Sequence, residues 1–253
     1  MTETLLLLVP LAFVAGLIDA AAGGGGLVQL PALFAALPRE LPALLLGSNK
    51  FASIWGTASA CWSYVRRIRI PWRLVLPAAL CAFAGSFLGA RVVHWLPADW
   101  VRPLVIGLLL LMLVYTWLRP AFGAADADRP LSRRDVLTGM VLGGAIGFYD
   151  GIFGPGTGTF LVFLFVRCFH FDFLRATACA KVVNLATNAA ALAFFIPAKL
   201  VLFSVAIPMA LANVAGAQCG TWLALRGGNR WIRQLFLVLA LLLLTRLVWL
   251  QWA

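Results

Sequence analysis

The sequence predicts an all-α, polytopic membrane protein made of two inverted repeats. Each repeat would hold a glycine-broken, re-entrant-like helix pair and three transmembrane helices. Of the 253 residues, 63% are hydrophobic and 11% are charged, which is more apolar surface than a water-soluble domain of this size can bury. A shift of 131 residues aligns the chain with itself without a gap, so that Asp19 falls on Asp150 and Lys50 on Lys181.

Apolar stretches recur along the whole chain, and many of them approach the roughly 20 residues that a membrane-spanning helix needs. The only clear linker is 120–132, which contains proline, glycine and three charges. It separates a first transmembrane repeat, 1–119, from a second, 133–253, and we expect it in the cytoplasm. The predicted apolar segments are 4–22, 26–37, 43–65, 73–95, 101–118, 135–153, 158–170, 174–195, 199–225 and 231–252.

The leading element of each repeat is interrupted by glycines, at 23–26 and at 154–158. Such runs cannot continue an α-helix cheaply, and irregular backbone inside a membrane persists only where protein or a wet cavity surrounds it. The N–H groups that begin each following half-helix then form a partial positive charge suited to anions. Close helix packing is the alternative, and we prefer it for the Gly-x-x-x-Gly pairs Gly85, Gly89, Gly216 and Gly220.

Arginine positions favour inverted repeats. If each broken element enters and returns on one side, the basic clusters 66–73, 129–134 and 226–233 all share a side, together with Arg167 and Arg175. The positive-inside rule makes that side cytoplasmic and puts both termini outside the cytoplasm. Eight simple spans with parallel repeats remain the alternative.

Lys50 and Lys181 lie within apolar helices, where an ionisable residue is a functional candidate by default. The alternative is that each ammonium group reaches the membrane interface along its buried stem. Polar residues follow both lysines at i+3 and i+7, on the same helical face. The candidate substrate-binding residues are Gly24, Gly25, Gly26, Asn49, Lys50, Ser53, Thr57, Gly156, Thr157, Gly158, Lys181, Asn184 and Asn188.

Asp19 and Asp150 each precede a glycine break by four residues. They could be counter-ions of the lysines, proton carriers, or caps for exposed N–H groups. No cluster with metal-ligand spacing and no nucleophile–histidine–acid set is present, which argues against an enzyme. We expect no cofactor and no metal, and the interspersed arginines make nucleic acid a poor partner.

The stretches 16–31 and 47–50 resemble the TauE/SafE family of sulfite exporters, also called toluene-sulfonate uptake permeases. The stretches 147–156 and 176–184 are similar to the second half of that family. The resemblance implies a multi-pass inner-membrane transporter of sulfite, sulfoacetate or other organosulfonates. Two positions depart from the family pattern, because Thr157 replaces a usual glycine and Val162 stands where the first repeat has Pro31.

The leading hypothesis is a secondary carrier, with an exporter as the expected direction, that holds a small anion between the repeats and alternates access by rocking. The membrane potential could drive export, and proton coupling is the variant to exclude. The alternatives are an anion channel or uptake permease for a different small anion, and a scaffold that transports nothing. The lipid bilayer is the expected surrounding, and faces rich in small residues permit a homodimer.

Overall fold

The computed structural model describes the backbone of residues 2–92 and 130–252, and the side chains within 4–92 and 130–227 and at Gln234. All regular secondary structure in these ranges is α-helical. The predicted span 101–118 and most of the linker 120–132 lie outside the described residues. The helices are α1 (Thr2–Ala22), α2 (Gly26–Ala36), α3 (Pro42–Val65), α4 (Trp72–Val92), α5 (Arg133–Ile152), α6 (Thr157–Phe169), α7 (Phe173–Phe195) and α8 (Phe203–Trp252).

The helix boundaries repeat with the period found in the sequence. The first residues of α1 to α4 are separated by 131 positions from the first residues of α5 to α8. Local signals fix two of the starts in the second unit. Ser132 and Asp135 form a reciprocal capping box at the start of α5, and the Asp172 carboxylate accepts a hydrogen bond of 2.7 Å from Arg175 N–H at the start of α7.

Each glycine-broken element folds back on itself as a helical hairpin. In the first unit, Leu33 near the end of α2 shares a core cluster with Leu8 near the start of α1. In the second unit, a Cβ on Gly139 near the start of α5 would lie 3.6 Å from Cζ of Phe169 at the end of α6. Phe160 at the start of α6 packs edge-to-face on Tyr149 at the end of α5, with ring centroids 5.4 Å apart. Both pairs, α1–α2 and α5–α6, therefore run antiparallel.

The first helix of each unit packs against the fourth helix of the other unit. Helix α1 packs on α8, and α5 packs on α4. Glycines make both contacts close. A Cβ on Gly216 would lie 1.9 Å from the carbonyl oxygen of Phe13, and a Cβ on the equivalent Gly85 would lie 2.3 Å from that of Gly144. Gly89 and Gly220 are equally confined, so the packing interpretation of these four glycines is confirmed.

Helices α3 and α7, which carry the two buried lysines, pack against each other between the hairpins. The start of α3 lies at the end of α7, where a Cβ on Gly47 would be 3.1 Å from Cβ of Phe195. The Leu202 N–H donates a hydrogen bond of 2.8 Å to Ser48 Oγ at the same end. The start of α3 therefore meets the end of α7, which is an antiparallel arrangement of two repeat-equivalent helices.

Four helices in the described ranges are long and apolar enough to cross a membrane: Thr4–Ala22, Trp72–Val92, Phe173–Phe195 and Phe203–Gly227. Helices α3 and α5 have 24 and 20 residues, which at 1.5 Å per residue also reaches about 30 Å or more. They are less apolar, because α3 contains Ser48, Asn49 and Lys50 and α5 begins with Arg133 and Arg134. The chain is therefore a multi-pass membrane protein by helix length and composition.

One predicted boundary is wrong. The sequence predicted separate segments at 199–225 and 231–252, whereas α8 is continuous from Phe203 to Trp252. Gly227 and Gly228 do not end the helix, since a helical glycine costs only about 1 kcal/mol relative to alanine and no proline follows to remove a hydrogen bond.

Replacement of Gly216 by alanine should lower the thermal stability of the detergent-purified protein, because the added methyl group would overlap the Phe13 carbonyl oxygen. Overpacking of this kind typically costs about 1–3 kcal/mol. Gly144→Ala is the matched control, since its nearest neighbour would be 3.7 Å away. Equal melting temperatures for both variants, measured by intrinsic fluorescence, would contradict this account of the α1–α8 contact.

Candidate functional site

The two glycine breaks meet at the centre of the fold. A Cβ on Gly23 would lie 2.4 Å from the carbonyl carbon of Gly158, so the two backbones touch. Gly23 and Gly154 are repeat-equivalent and both have positive φ, 78° and 79°. The second positive φ differs between the units, at Gly24 in the first and at Gly156 in the second, because the position equivalent to Gly24 is Pro155, whose ring fixes φ near −65°.

A cavity of about 30 Å³ lies where the breaks meet α3 and α7. This volume corresponds to about two water molecules. Twelve of the thirteen predicted substrate-binding residues line the cavity, as do both predicted counter-ions. The lining residues are Asp19, Gly24, Gly25, Gly26, Asn49, Lys50, Ser53, Thr57, Asp150, Gly154, Gly156, Thr157, Gly158, Asn184, Asn188 and Asn213.

The thirteenth residue, Lys181, lies behind the cavity wall. Only 1% of its side chain is exposed, and its ammonium group is 2.7 Å from Oδ2 of Asp19. Lys50 lines the cavity, and its ammonium group is 2.5 Å from Oδ2 of Asp150. Both lysines are therefore buried and ion-paired, so neither extends along its stem to the interface. Each pair joins the two units, because the lysine and the aspartate come from different repeats.

The two aspartates differ in their remaining partners. Oδ1 of Asp19 accepts a hydrogen bond of 3.3 Å from Gly25 N–H, and its Oδ2 accepts one of 3.5 Å from the Thr57 hydroxyl. Asp19 is thus both a counter-ion and a cap for the backbone of the first break. For the Asp150 carboxylate, the described residues provide one polar partner, Lys50.

Several polar groups in the cavity wall are directed by neighbouring helices. The Asn184 amide oxygen accepts a hydrogen bond from the Thr187 hydroxyl at 3.4 Å. The amide oxygen of Asn49 is buried without a hydrogen-bond partner in the described part of the chain. No described residue accepts a hydrogen bond from the N–H groups of Gly26 or Gly158, which lie in the first turns of α2 and α6. The cavity can therefore offer an ammonium group, amides, hydroxyls and backbone N–H groups to one ligand.

Sequence reasoning missed two lining residues, Asn213 and Gly154. Asn213 lies on α8 and donates hydrogen bonds to Gln29 Oε1 at 2.9 Å and to the Ala12 carbonyl oxygen at 3.2 Å. Its repeat equivalent is Ala82, so the symmetry of polar positions gave no signal for it. Gly154 was counted as part of the second break, and its Cα hydrogens face the Lys50 ammonium group, which would be 2.9 Å from a Cβ there.

The residues that line the cavity include no histidine and no cysteine. Within residues 2–92 and 130–252, no three histidine, cysteine, aspartate or glutamate side chains are grouped so that they could hold a metal ion. What the cavity can do chemically is bind a small polar or charged ligand.

Known proteins similar to this chain are membrane transporters. A 37% identical relative from Sinorhizobium sp, "Probable membrane transporter protein ORF9", aligns over 94% of this chain and 89% of its own length. "Probable membrane transporter protein YfcA" from Escherichia coli K12 is 33% identical over 94% of this chain and 87% of its own. A "Probable membrane transporter protein" from Haemophilus influenzae is 31% identical over 98% and 95%.

No solved structure matches the chain significantly. The sequence profile of the family described as "Sulfite exporter TauE/SafE" matches residues 8–247, which is nearly the whole chain. Both the profile and the relatives are those of transporters and not of enzymes. The chain therefore belongs to the TauE/SafE family of membrane transporters.

Proposed function

We propose that this protein is a secondary carrier, working as an exporter, for small sulfur-containing anions such as sulfite, sulfoacetate or other organosulfonates. The observation that carries the proposal is the buried Lys50 ammonium group in the wall of a cavity between two broken helices. A cation is costly inside a membrane and is retained there mainly for function. The family description supplies the sulfur chemistry and the export direction.

Lys50 would be the principal cationic ligand. Ser53 and Thr57 lie one and two turns further along α3, and Asn188 faces them from α7 across the same cavity. The N–H groups of Gly26 and Gly158 would complete the coordination of the sulfonate oxygens, as helix N-termini do for other oxyanions. Lys181 would act indirectly, by holding Asp19 and through it the first break.

The cavity limits the size of the ligand in this conformation. A volume of about 30 Å³ holds about two waters, whereas a sulfonate group has four heavy atoms. Binding therefore requires the lining side chains to move apart, and alternating access by rocking of one unit against the other would provide that movement. A compact anion needs less movement than a bulky one.

We infer that the two repeats are inverted relative to the membrane, that the hairpins α1–α2 and α5–α6 are re-entrant, and that the host membrane is the inner one. The antiparallel packing of α3 on α7 supports inversion. Ile68 and Leu131 pack against the core cluster that contains Phe171, which agrees with basic segments on a single side. These residues neighbour Arg67, Arg133 and Arg175, as the positive-inside rule requires.

An anion channel, or an uptake permease for a different small anion, is the alternative to a carrier. A channel would use the same cationic wall without alternating access. Counterflow separates the two, since a carrier accelerates labelled uptake when unlabelled anion is present inside and a channel only dissipates the gradient.

Counterflow in proteoliposomes should depend more strongly on Lys50, which lines the cavity, than on Lys181, which lies behind its wall. We expect Lys50→Gln to weaken trans-stimulated uptake of a labelled organosulfonate by about 10- to 100-fold, because a hydrogen bond to a charged group contributes about 1.5–3 kcal/mol. Lys50→Gln/Asp150→Asn removes the same cation without leaving a buried unpaired carboxylate. Loss of uptake in this double variant would therefore reflect weaker anion binding and not a destabilised fold.

Lys199→Gln is the matched control for that measurement, because the chain has three lysines and Lys199 is the exposed one. It should transport like the wild type. Sulfite, sulfoacetate, taurine and sulfate inside the liposomes would rank the substrates. Full uptake by the double variant would overturn the assignment of Lys50 as the anion ligand.

Single cysteines placed at Arg67 and Ala198 should test the inversion. The two positions are exposed and separated by 131 residues, so inverted repeats put them on opposite sides of the membrane and parallel repeats put them on the same side. In a background without the five native cysteines, a membrane-impermeant maleimide applied to intact cells should label Ala198→Cys and spare Arg67→Cys. Labelling of both, or of neither, would exclude inversion.

Gly23→Ala should abolish transport while Gly26→Ala is tolerated better. Gly23 has a φ of 78° and its Cβ would overlap the Gly158 backbone, whereas the nearest atom to a Cβ on Gly26 would be 3.5 Å away. A non-glycine residue in such a conformation costs on the order of 1–3 kcal/mol. Counterflow rates of the two variants, normalised to the amount of reconstituted protein, check this expectation.

A further inference from the structure

The buried charges around the cavity sum to zero. Lys50 and Lys181 are balanced by Asp150 and Asp19, and the exposed fractions of the four side chains are 5%, 1%, 1% and 16%. An anion that enters this set makes it net negative inside the helical bundle, where water has little access to the charged side chains and an unbalanced charge is disfavoured. Either a cation must enter with the anion or one carboxylate must become neutral.

The repeat-equivalent ion pairs are not equivalent in their surroundings. Asp19 is held by the Lys181 ammonium group, by Gly25 N–H and by the Thr57 hydroxyl. Three donors therefore contact this carboxylate. Asp150 has the Lys50 ammonium group as its single polar partner among the described residues. If Lys50 turns to an anion in the cavity, Asp150 is the carboxylate that loses its counter-charge.

We propose that transport is coupled to protons, that Asp150 is the proton-binding residue, and that one proton crosses with each monovalent anion. This inference rests on the proposed carrier function. On one side of the membrane the Asp150 carboxylate takes a proton from water, and Lys50 remains an ammonium group and transfers its ion pair from Asp150 to the anion. On the other side the anion and the proton both leave, and the Lys50–Asp150 pair forms again.

The groups that face Asp150 agree with this role. Lys50 approaches from α3, and Asp150 itself lines the cavity, so a proton can reach it from the ligand's own space. The neighbouring Tyr149 hydroxyl is occupied as the donor of a 2.7 Å hydrogen bond to the Pro155 carbonyl oxygen. The Lys181–Asp19 pair stands across the cavity and is internally balanced. On α4, which packs on α5, the charged Arg91 is exposed and stacks on Phe87.

Coupling of this kind makes the transport step electroneutral. The substrate gradient and the pH gradient would then set the direction of net flux, and the membrane potential would have no direct effect. An anion that accumulates inside the cell would leave together with a proton. This differs from export of a bare anion, which a negative interior would drive.

The test uses the full-length protein in liposomes with methanesulfonate, which stays monovalent across the working pH range. A pH dye in the lumen and a potential set by potassium and valinomycin report the two coupled quantities. We expect wild-type uptake to acidify the lumen by about one proton per anion and to be unchanged by the potential, as linkage of one proton to one anion requires. The affinity of the purified protein should fall about tenfold per pH unit at alkaline pH for the same reason.

Asp150→Asn fixes the neutral form of the side chain. In this variant the affinity for methanesulfonate should become independent of pH, and the acidification per anion should fall to near zero. Because Lys50 then has no carboxylate partner, methanesulfonate should raise the melting temperature of this variant more than that of the wild type. Lys199→Gln is the control and should behave as the wild type in all three measurements.

The wild-type measurement decides the proposal even if Asp150→Asn does not fold. Counterflow without acidification, together with uptake that follows the potential, would overturn the coupling and leave the carrier function intact. Absence of counterflow with sulfite and with every sulfonate would overturn both. Coupling that persists in Asp150→Asn would exclude Asp150 as the proton-binding residue.

Discussion

Two crossed ion pairs in the interior of the helical bundle are the interaction on which the rest of the structure depends. Each pair links a lysine in the middle helix of one unit to an aspartate at the end of the leading helix of the other. Neither charge of a pair could be buried alone, since an unpaired ion in this environment costs several kcal/mol. The pairs therefore fix how the two units meet and fix where the cavity forms.

The helix packing around these pairs also joins the two units. Leading helices α1 and α5 pack on α8 and α4 of the opposite unit through glycines that face carbonyl oxygens. Close packing of this kind holds helices together in lipid, because the hydrophobic effect does not drive the association of apolar helices there. Each unit thus contributes one helix to each of two equivalent interfaces, α1 with α8 and α5 with α4. The ends of α1 and α5 bring Asp19 and Asp150 to the centre as a consequence.

The glycine breaks have a structural and a chemical role at once. Contact between Gly23 and Gly158 shows that the two breaks need glycine for packing. The same turns leave the N–H groups of Gly26 and Gly158 without a protein acceptor in the described ranges. The same turns thus give a tight backbone crossing and two N–H groups without a protein acceptor among the described residues. The second break has its second positive φ at Gly156, because Pro155, at the position equivalent to Gly24, cannot adopt a positive φ.

The sequence by itself determined a large part of this protein. The period of 131 residues relates the two units, and the first residues of α1 to α4 and of α5 to α8 follow it. The i+3 and i+7 spacing placed Ser53, Thr57, Asn184 and Asn188 on the faces that line the cavity. These features are local, because helix periodicity and turn chemistry act over a few residues. The glycine breaks and the burial of the lysines were readable for the same reason.

Only the tertiary structure decided which groups meet across long separations. Asp19 and Lys181 are 162 positions apart in sequence, and no local pattern could say that each lysine pairs with the aspartate of the other repeat. The cavity residue Asn213, the withdrawal of Lys181 behind Asp19 and the different surroundings of the two aspartates also arise from packing between units. A repeated sequence predicts a symmetric site. The asymmetry appears only in the fold, where Asp19 has three donors and Asp150 has one polar partner among the described residues.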